Sequence, residues 1–370
     1  MRHIETDIAI IGAGIAGAGV AAELAGEFRV TLIEQEDRPG YHSTGRSAAI
    51  FIRNYGNATI RALSRASVPM FEAAGAPDFS GPLLTQRGLL TIASEASIDD
   101  FRALMSEADG MVEITVDEAC AMVPVLRREK IVAAAFEQDA QDIDVAALHD
   151  GWLRKAKKAG AELITGAPLL RGSRNDGGWD LETADTRIRA GIIVNAAGAW
   201  ADHVATACGV APLGLQPMRR SMAVIPAPEG IDLSRWPLVD DAAESWYFKP
   251  EGTKLYVSPA EEIPVDPHDA FVDDMVLAEG LDRFEQAVNI PVTRVERSWA
   301  GLRTFAPDRT PVAGFDSTSE EFFWLAGQGG YGIQTSPALS RLAALSIRRA
   351  LLPADLDALL PALSPDRLRA

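Results

Sequence analysis

The apolar positions of this chain follow two different periods. At both ends and in the middle they form short continuous runs that pass through glycine-rich turns into helical spacing, as strands buried on both faces of a parallel sheet do. Asp7-Ile8-Ala9-Ile10-Ile11 is such a run; Gly12-Ala13-Gly14-Ile15-Ala16-Gly17, a helix and a second strand, Arg29-Val30-Thr31-Leu32-Ile33, follow it. In the middle, helical spacing from Val145 to Ala159 stops at Gly160, and Ala161-Glu162-Leu163-Ile164 reads as a strand. Gly191-Ile192-Ile193-Val194-Asn195 is another buried strand, meeting the small-residue turn Ala196-Ala197-Gly198-Ala199-Trp200. The last run is the strand Phe322-Phe323-Trp324-Leu325-Ala326, then the loop Gly327-Gln328-Gly329-Gly330-Tyr331-Gly332 and a helix from about Ile333 to Leu351. The stretches 83–140 and 213–305 instead alternate apolar and polar residues between Pro and Gly turns, which predicts an antiparallel sheet. Tyr247-Phe248-Lys249 and Leu255-Tyr256-Val257 around Pro250-Glu251-Gly252 are an example. The expected organisation is therefore α/β. A discontinuous nucleotide domain comes from 1–82, 141–212 and 306–370, interleaved with a substrate domain from 83–140 and 213–305.

The first forty residues carry a dinucleotide fingerprint. Gly12 permits the tight turn, Gly14 lets backbone approach a pyrophosphate, Gly17 lets helix pack on strand, and the helix N-terminus faces the anion. Glu34 stands at the end of the second strand, placed to accept hydrogen bonds from ribose hydroxyls. A glycine-rich turn without a ligand is the plain alternative, and it does not account for strand, glycines, helix, strand and acid in register.

Composition narrows the partners. With 370 residues and a formal net charge of −17, the chain has a large core but no basic surface for nucleic acid or an anionic membrane. No apolar run reaches the roughly 18 residues of a membrane span, and the N-terminal apolar stretch reads as the first strand, so a cytoplasmic location is expected. Cys120 and Cys208 lie outside any CxxC or metal spacing and read as free thiols, and the five histidines are scattered, so no metal site is expected.

Five ordered motifs together resemble the FAD-dependent D-amino acid oxidase and dehydrogenase (DAO) family, in particular its arginine-oxidising branch. They are the fingerprint ending in Glu34, Gly40-Tyr41-His42-Ser43-Thr44-Gly45-Arg46-Ser47-Ala48-Ala49, Val194 to Trp200, Trp299-Ala300-Gly301-Leu302-Arg303 and the loop from Gly327 to Gln334. The resemblance implies a Rossmann-like three-layer FAD domain beneath an antiparallel-sheet substrate domain, with noncovalent FAD. It also implies cofactor contacts from Gly12, Gly14, Ile15, Ala16 and Gly17; from Glu34 and Gln35; and from Ser43, Thr44, Ser47, Ala48 and Ala49. Ala197, Gly198 and Trp200 belong to the same set, as do Gly329, Gly330, Tyr331, Gly332, Ile333 and Gln334. A helix N-terminus after the Gly329-Gly330 turn would stabilise the negative charge that a flavin gains near N1 on reduction.

A buried substrate carboxylate needs cations of fixed geometry, for which arginine's planar fork is suited. Arg220 and Arg303 are the candidates. Adjacent strand residues face opposite ways, and Arg220 shares its face with Met222 and Val224, so Arg219 is expected to point elsewhere. The resemblance adds Tyr247 and Tyr55 as substrate contacts, Tyr55 on a mobile lid hinged at Gly56. It implies hydride transfer from Cα to flavin N5, with the amine on the Gly330 carbonyl, oxidatively deaminating a D-amino acid to a 2-oxo acid and ammonia. Leu89 stands where the arginine-oxidising relatives have an acid, and Ile50 where the family has a histidine. An apolar wall disfavours a cationic side chain, so neutral or hydrophobic D-amino acids are the expectation, unless Asp240 or Arg53 reaches the pocket. An oxidase or dehydrogenase of N-methyl amino acids or other secondary amines, a 2-hydroxy acid dehydrogenase and a flavin-binding sensor are the alternatives. The electron acceptor, whether oxygen, a quinone or another molecule, is left open.

Overall fold

The structure is a computed structural model, and it describes residues 1–175 and 177–369. Ile8, Ala9, Ile10 and Ile11 are all buried, as a central parallel strand requires, and they lie in the strand Arg2–Ile11. That strand pairs in parallel with Val30–Ile33 on one side and Thr186–Asn195 on the other. Glu162–Ile164 adds beyond Val30–Ile33, and Ser319–Ala326 lies parallel to the end of Thr186–Asn195. The hairpin Arg171–Asn175 and Gly178–Glu182, with Val312–Asp316, completes an eight-stranded sheet.

Helices Ile15–Leu24, Val145–Lys158 and Gly332–Ile347 cover one face of this sheet. The first is built of small residues because the others cross it closely: a Cβ on Gly19 would lie 2.9 Å from the Trp152 ring. Val145–Lys158 starts where the Asp144 side chain accepts from the Ala147 N–H at 2.8 Å and ends on Lys155, Lys157 and Lys158, which complement its dipole. The last helix is a turn shorter than its periodicity predicts, because Arg349 adopts φ 53° and Pro353 follows.

The second sheet has nine strands, in the order Ile263–Pro264, Gln216–Pro226, Lys254–Ser258, Tyr247–Glu251, Leu238–Asp241, Leu89–Ala93, Ala133–Glu137 and Val112–Ile114, with Arg297–Phe305 also on Gln216–Pro226. Only Leu238–Asp241 and Leu89–Ala93 run parallel. Strand alternation missed three helices in these stretches: Ile98–Glu107, Val116–Met122 and Asp274–Ala287. Each opens on acidic residues, and Thr115 and Glu118 form a reciprocal cap, a local signal that outweighs a short apolar alternation. One face of the nine-stranded sheet packs on Val116–Met122 and Asp274–Ala287; its inner face looks toward the glycine loops. A small sheet of Ile50–Phe51, Gln141–Ile143 and Leu84–Gln86 joins the two.

Candidate active site

A long cleft runs from the carboxyl ends of the parallel strands to the inner face of the nine-stranded sheet. At its first end Gly12 sits at φ 99°, and a Cβ there would lie 2.5 Å from the Ala196 carbonyl oxygen, so only glycine fits. Gly14, Ile15 and Ala16 line the cleft. Gly17 does not; a Cβ on it would lie 1.9 Å from the Gly12 oxygen, so this glycine seats the helix on the strand rather than meeting a ligand.

Glu34 lines the cleft and organises it. One carboxylate oxygen accepts from the Ala13 N–H at 2.8 Å and the other from the Glu36 N–H at 3.0 Å, so the expected ribose acceptor also holds the fingerprint loop. His149 Nε2 donates to the Ala13 carbonyl at 2.8 Å from behind. Gln35, Ser43, Thr44, Ser47 and Ala48 also line the cleft. The hydroxyls of that loop are already engaged with protein. Thr44 Oγ1 accepts from the Ile15 N–H at 3.0 Å, Ser43 Oγ donates to the Leu302 carbonyl at 2.6 Å, and Ser47 Oγ accepts from the Ala49 N–H at 3.1 Å. Ala49 itself, expected as a cofactor contact, does not line the cleft. Lys249 fixes the loop by donating to the Ala48 carbonyl at 3.1 Å.

Ala197, Gly198 and Trp200 form the middle of the lining, and Gly329, Gly330, Gly332 and Ile333 its far floor. Tyr331 and Gln334 were expected there and lie outside it. Tyr331 packs edge-on against Tyr55 at 4.6 Å, and Gln334 bonds the Ile52 N–H and carbonyl and the Ser64 hydroxyl, so both hold neighbouring chain in place.

At the far end the register brings the arginines together. Arg220 pairs with Gly301 and Met218 with Arg303, so Arg220 and Arg303 share the inner face of adjacent antiparallel strands. Both line the cleft, as does Tyr247. Arg219 faces the other way, 3.4 Å from Asp273. Arg220 donates to the Glu261 carbonyl at 2.8 Å and the Glu262 carboxylate at 3.2 Å, and Glu262 also pairs with Arg309 at 2.8 Å. Burial and the neighbouring Arg303 push Arg220 below the usual guanidinium value, yet an arginine stays cationic in a protein. Arg303 donates to the Tyr55 hydroxyl oxygen at 3.0 Å. Burial raises Tyr55, against the pull of Arg303, so its phenol stays protonated and its own O–H remains free to donate.

Tyr55, Leu89 and Ile50 are not in the cleft lining. Leu89 is buried with Ile52, Ala135 and Leu238, and Ile50, Tyr55 and Tyr247 pack against that cluster. The segment carrying Tyr55, expected as a mobile lid, makes hydrogen bonds to the body of the protein in this conformation. Gln334 holds Ile52, and the buried Glu137 carboxylate accepts from the Arg53 N–H and the Asn54 side chain, each at 2.8 Å. Gly56 does adopt φ 83°, but it packs against Ile60 and Tyr331. Arg53 points away to an exposed pair with Asp139 at 3.1 Å.

Several lining residues escaped the sequence reading. His42, Met222, Trp299 and Ala167 to Leu169 all border the cleft. His42 lies against the Trp200 ring at 4.5 Å, and the Trp299 indole N–H donates to the Arg46 carbonyl at 3.1 Å. Ala167 to Leu169 could have been found, since they follow a parallel strand at the carboxyl edge where such sheets bind ligands. The cleft fits a flavin dinucleotide on its own terms: a glycine cradle that a side chain would fill, a helix N-terminus at Gly332, and a buried Gln328 amide nitrogen with no partner in the wall. Among the described residues no group of His, Cys, Asp and Glu is placed to hold a metal, and no helix is long and apolar enough to cross a membrane.

Comparison with known proteins agrees with this geometry. Human dimethylglycine dehydrogenase is 26% identical over 88% of this chain, which spans 40% of the length of that protein. Glycine oxidase of Geobacillus kaustophilus is 25% identical over 93% of both chains. Among solved structures, the L-proline dehydrogenase of P. horikoshii superposes with a TM-score of 0.85 at 21% identity, covering 100% of this chain and 99% of its own. The glycine oxidase of Geobacillus kaustophilus does so with a TM-score of 0.83 at 23% identity and 98% of both chains. The sequence profile of the DAO family, described as FAD dependent oxidoreductase, matches residues 7–345. The chain therefore belongs to the DAO family of FAD-dependent oxidoreductases, and FAD is its cofactor.

Proposed function

We propose that the protein oxidises a free D-amino acid at Cα, giving an iminium that water hydrolyses to a 2-oxo acid and ammonia. The observation that carries this reading is the meeting of Arg220, Arg303 and Tyr247 at the Gly330 end of the cofactor cleft. Two guanidiniums and a phenol on one inner sheet face form a clamp for a carboxylate, and a desolvated carboxylate demands such a clamp. Arg220 keeps Nη1 free of the protein contacts that occupy its Nε and Nη2, and Tyr55 steadies Arg303 while keeping its own proton to donate. Gly330 lies against that guanidinium; a Cβ there would be 2.8 Å from Arg303 Nη1, so glycine lets backbone and cation share the floor. In this reading the Gly330 carbonyl accepts from the substrate amine and turns the Cα–H toward the cofactor. When bound, FAD supplies the two-electron acceptor for that hydrogen. Hydride loss from a neutral amine leaves an iminium without a prior proton transfer, so the absence of a general base from the clamp fits the chemistry.

Noncovalent attachment of FAD is part of the proposal, because neither cysteine lines the cleft: Cys208 is buried beneath Gly172 with its thiol pushed up to about 12, and Cys120 packs in the apolar core of the other domain face. The preference for the D-enantiomer rests on the motif resemblance. Anaerobic mixing of the purified protein with D- and L-amino acids, followed at the flavin absorbance, tests it; bleaching confined to L-amino acids, or none at all, overturns the reading. A second reading, oxidation of N-methyl amino acids, is favoured by the match to dimethylglycine dehydrogenase along most of this chain. Faster bleaching by sarcosine or dimethylglycine than by any primary amino acid would select it.

A further inference from the structure

The arginine clamp is held from behind. Gln216–Pro226 pairs with Ile263–Pro264 so that Met218 meets Pro264 and Arg219 meets Ile263, and one step further along Arg220 comes opposite Glu262. Just before this point Ala260 adopts φ 53°, with its N–H donating to Ser258 Oγ at 3.1 Å, and the turn lets two consecutive residues reach Arg220. Arg220 Nε donates to the Glu261 carbonyl at 2.8 Å and Nη2 to the Glu262 carboxylate at 3.2 Å. This two-point hold fixes the plane of the guanidinium and leaves Nη1 without a partner among the described residues. Arg220 lines the cleft and Glu262 does not, so the acid grips the fork on the side away from a ligand.

Glu262 is not given wholly to Arg220. Its two oxygens also accept from Arg309 Nη2, at 3.0 and 2.8 Å. Arg309 is seated for this: its backbone stands at φ 60°, its N–H donates to the Ala306 carbonyl at 2.8 Å, and its guanidinium lies 3.9 Å from the centre of the Phe305 ring. A non-glycine residue at positive φ persists only where its surroundings hold it, and here the ring and the acid do so. Arg220 is buried and Arg309 exposed, so a cation, an anion and a second cation stand in a row from the cleft outward. Glu262 therefore competes with any anion in the cleft for Arg220, and Arg309 weakens that competition.

We propose that Glu262 is a positioning residue that sets how strongly the clamp takes a substrate carboxylate, holding the Arg220 fork in plane while Arg309 draws off part of the acid's charge. The inference rests on the carboxylate clamp proposed above and deepens it. An unopposed Arg220 beside Arg303 would hold product as firmly as substrate, because both keep the carboxylate. An Arg220 fully paired to its own acid would bind that carboxylate weakly. The shared acid gives an intermediate strength, which suits a site that must release a product of the same kind of anion.

The test uses the FAD-loaded protein and two unreactive probes, hexanoate and hexanamide, titrated against the flavin spectrum; they differ in the charge of the carboxylate. Glu262→Gln keeps an acceptor for Arg220 Nη2 and removes the competing charge, so hexanoate should bind about 3-fold or more tightly than in wild type, with hexanamide unchanged. Arg309→Met, at an exposed site, leaves Glu262 to Arg220 alone and should weaken hexanoate binding by about 3-fold or more. A residue that only supports the fold would move both variants toward weaker binding. Glu262→Ala removes the acceptor as well, so the limiting rate of flavin reduction by the best amino acid should fall about 10-fold or more, and Glu262→Gln should restore most of it. Hexanoate affinity that is unchanged or weaker in Glu262→Gln, or unchanged in Arg309→Met, overturns the proposal. If that happens while Arg220→Met abolishes hexanoate binding, the clamp stands and the role of Glu262 falls. If hexanoate binds no better than hexanamide in wild type, the clamp falls and this inference with it.

Discussion

Replacing Arg220 by Met gives the sharpest test of the clamp, because its sequence neighbour supplies an internal control. Met fills much of the arginine volume and leaves the strand intact, so the change removes charge and donors more than packing. Truncating one partner of a buried, hydrogen-bonded charge pair costs about 2–5 kcal/mol, which predicts a loss of roughly 30-fold to several thousand-fold in kcat/KM. Arg220 shares the Glu262 carboxylate with Arg309, so its loss leaves that anion paired, and Arg303 remains in the clamp; the lower part of that range is expected. Arg303→Met should cost more, since it also frees the Tyr55 hydroxyl that now accepts from it. Arg219→Met removes only a 3.4 Å pair with a half-exposed Asp273 on the opposite face, a contact worth about 0–1 kcal/mol, and should change turnover by less than about five-fold. Anaerobic single-turnover reduction separates binding from chemistry, and comparing the best amino acid with its carboxamide isolates the carboxylate. The wild type should discriminate strongly between the two, and the Arg220 and Arg303 variants weakly. Equal damage at Arg219 and Arg220, or equal damage to acid and amide, would refute the clamp.

Three further outcomes follow from the same contacts. Glu34→Ala should lower FAD retention markedly, because it removes both the proposed ribose acceptor and the brace on the Ala13 and Glu36 amides; fluorescence of released flavin after dilution measures this, and undiminished retention would remove Glu34 from the cofactor site. Glu137→Ala leaves the Arg53 N–H and part of the Asn54 amide without acceptors and should cost about 2–4 kcal/mol, read as a lowered unfolding midpoint together with weaker substrate binding through Tyr55. An Asp240 carboxyl raised from 3.8 to about 8 holds a proton in the folded state that the unfolded chain has released, so its stabilising effect is present at low pH and is lost as pH rises toward 8. Asp240→Asn should therefore gain thermal stability relative to wild type between pH 5 and 8, as scans at both values would show; a constant offset would place the carboxyl's titration elsewhere.

What the sequence made legible was whatever lies within a few residues of its cause. Gly12 with φ 99° against Ala196, the cap at Asp144 and the separation of Arg219 from Arg220 each follow from a turn, a cap or a two-residue period. What it hid depends on pairing across long separations. The Tyr55 segment reads as a lid because Gly56 suggests a hinge; its hydrogen bonds to Gln334 and Glu137 in this conformation come from chain remote in sequence, and no local pattern announces either. Ser43, Thr44 and Ser47 do line the cleft as expected, but the bonds that tie Ser43 to Leu302 and Thr44 to Ile15 join chain 259 and 29 residues apart and have no local signal. The wall near Tyr247 was hidden in the same way. Register puts Leu89, Leu238 and Asp240 on the face that carries Tyr247, yet Leu89 is buried among Ile52, Ala135 and Leu238, and neither Leu89 nor Asp240 lines the cleft. Alternation names the face; which side chains on it reach the cleft depends on contacts with chain remote in sequence, whereas the first glycine loop is set by geometry local to it.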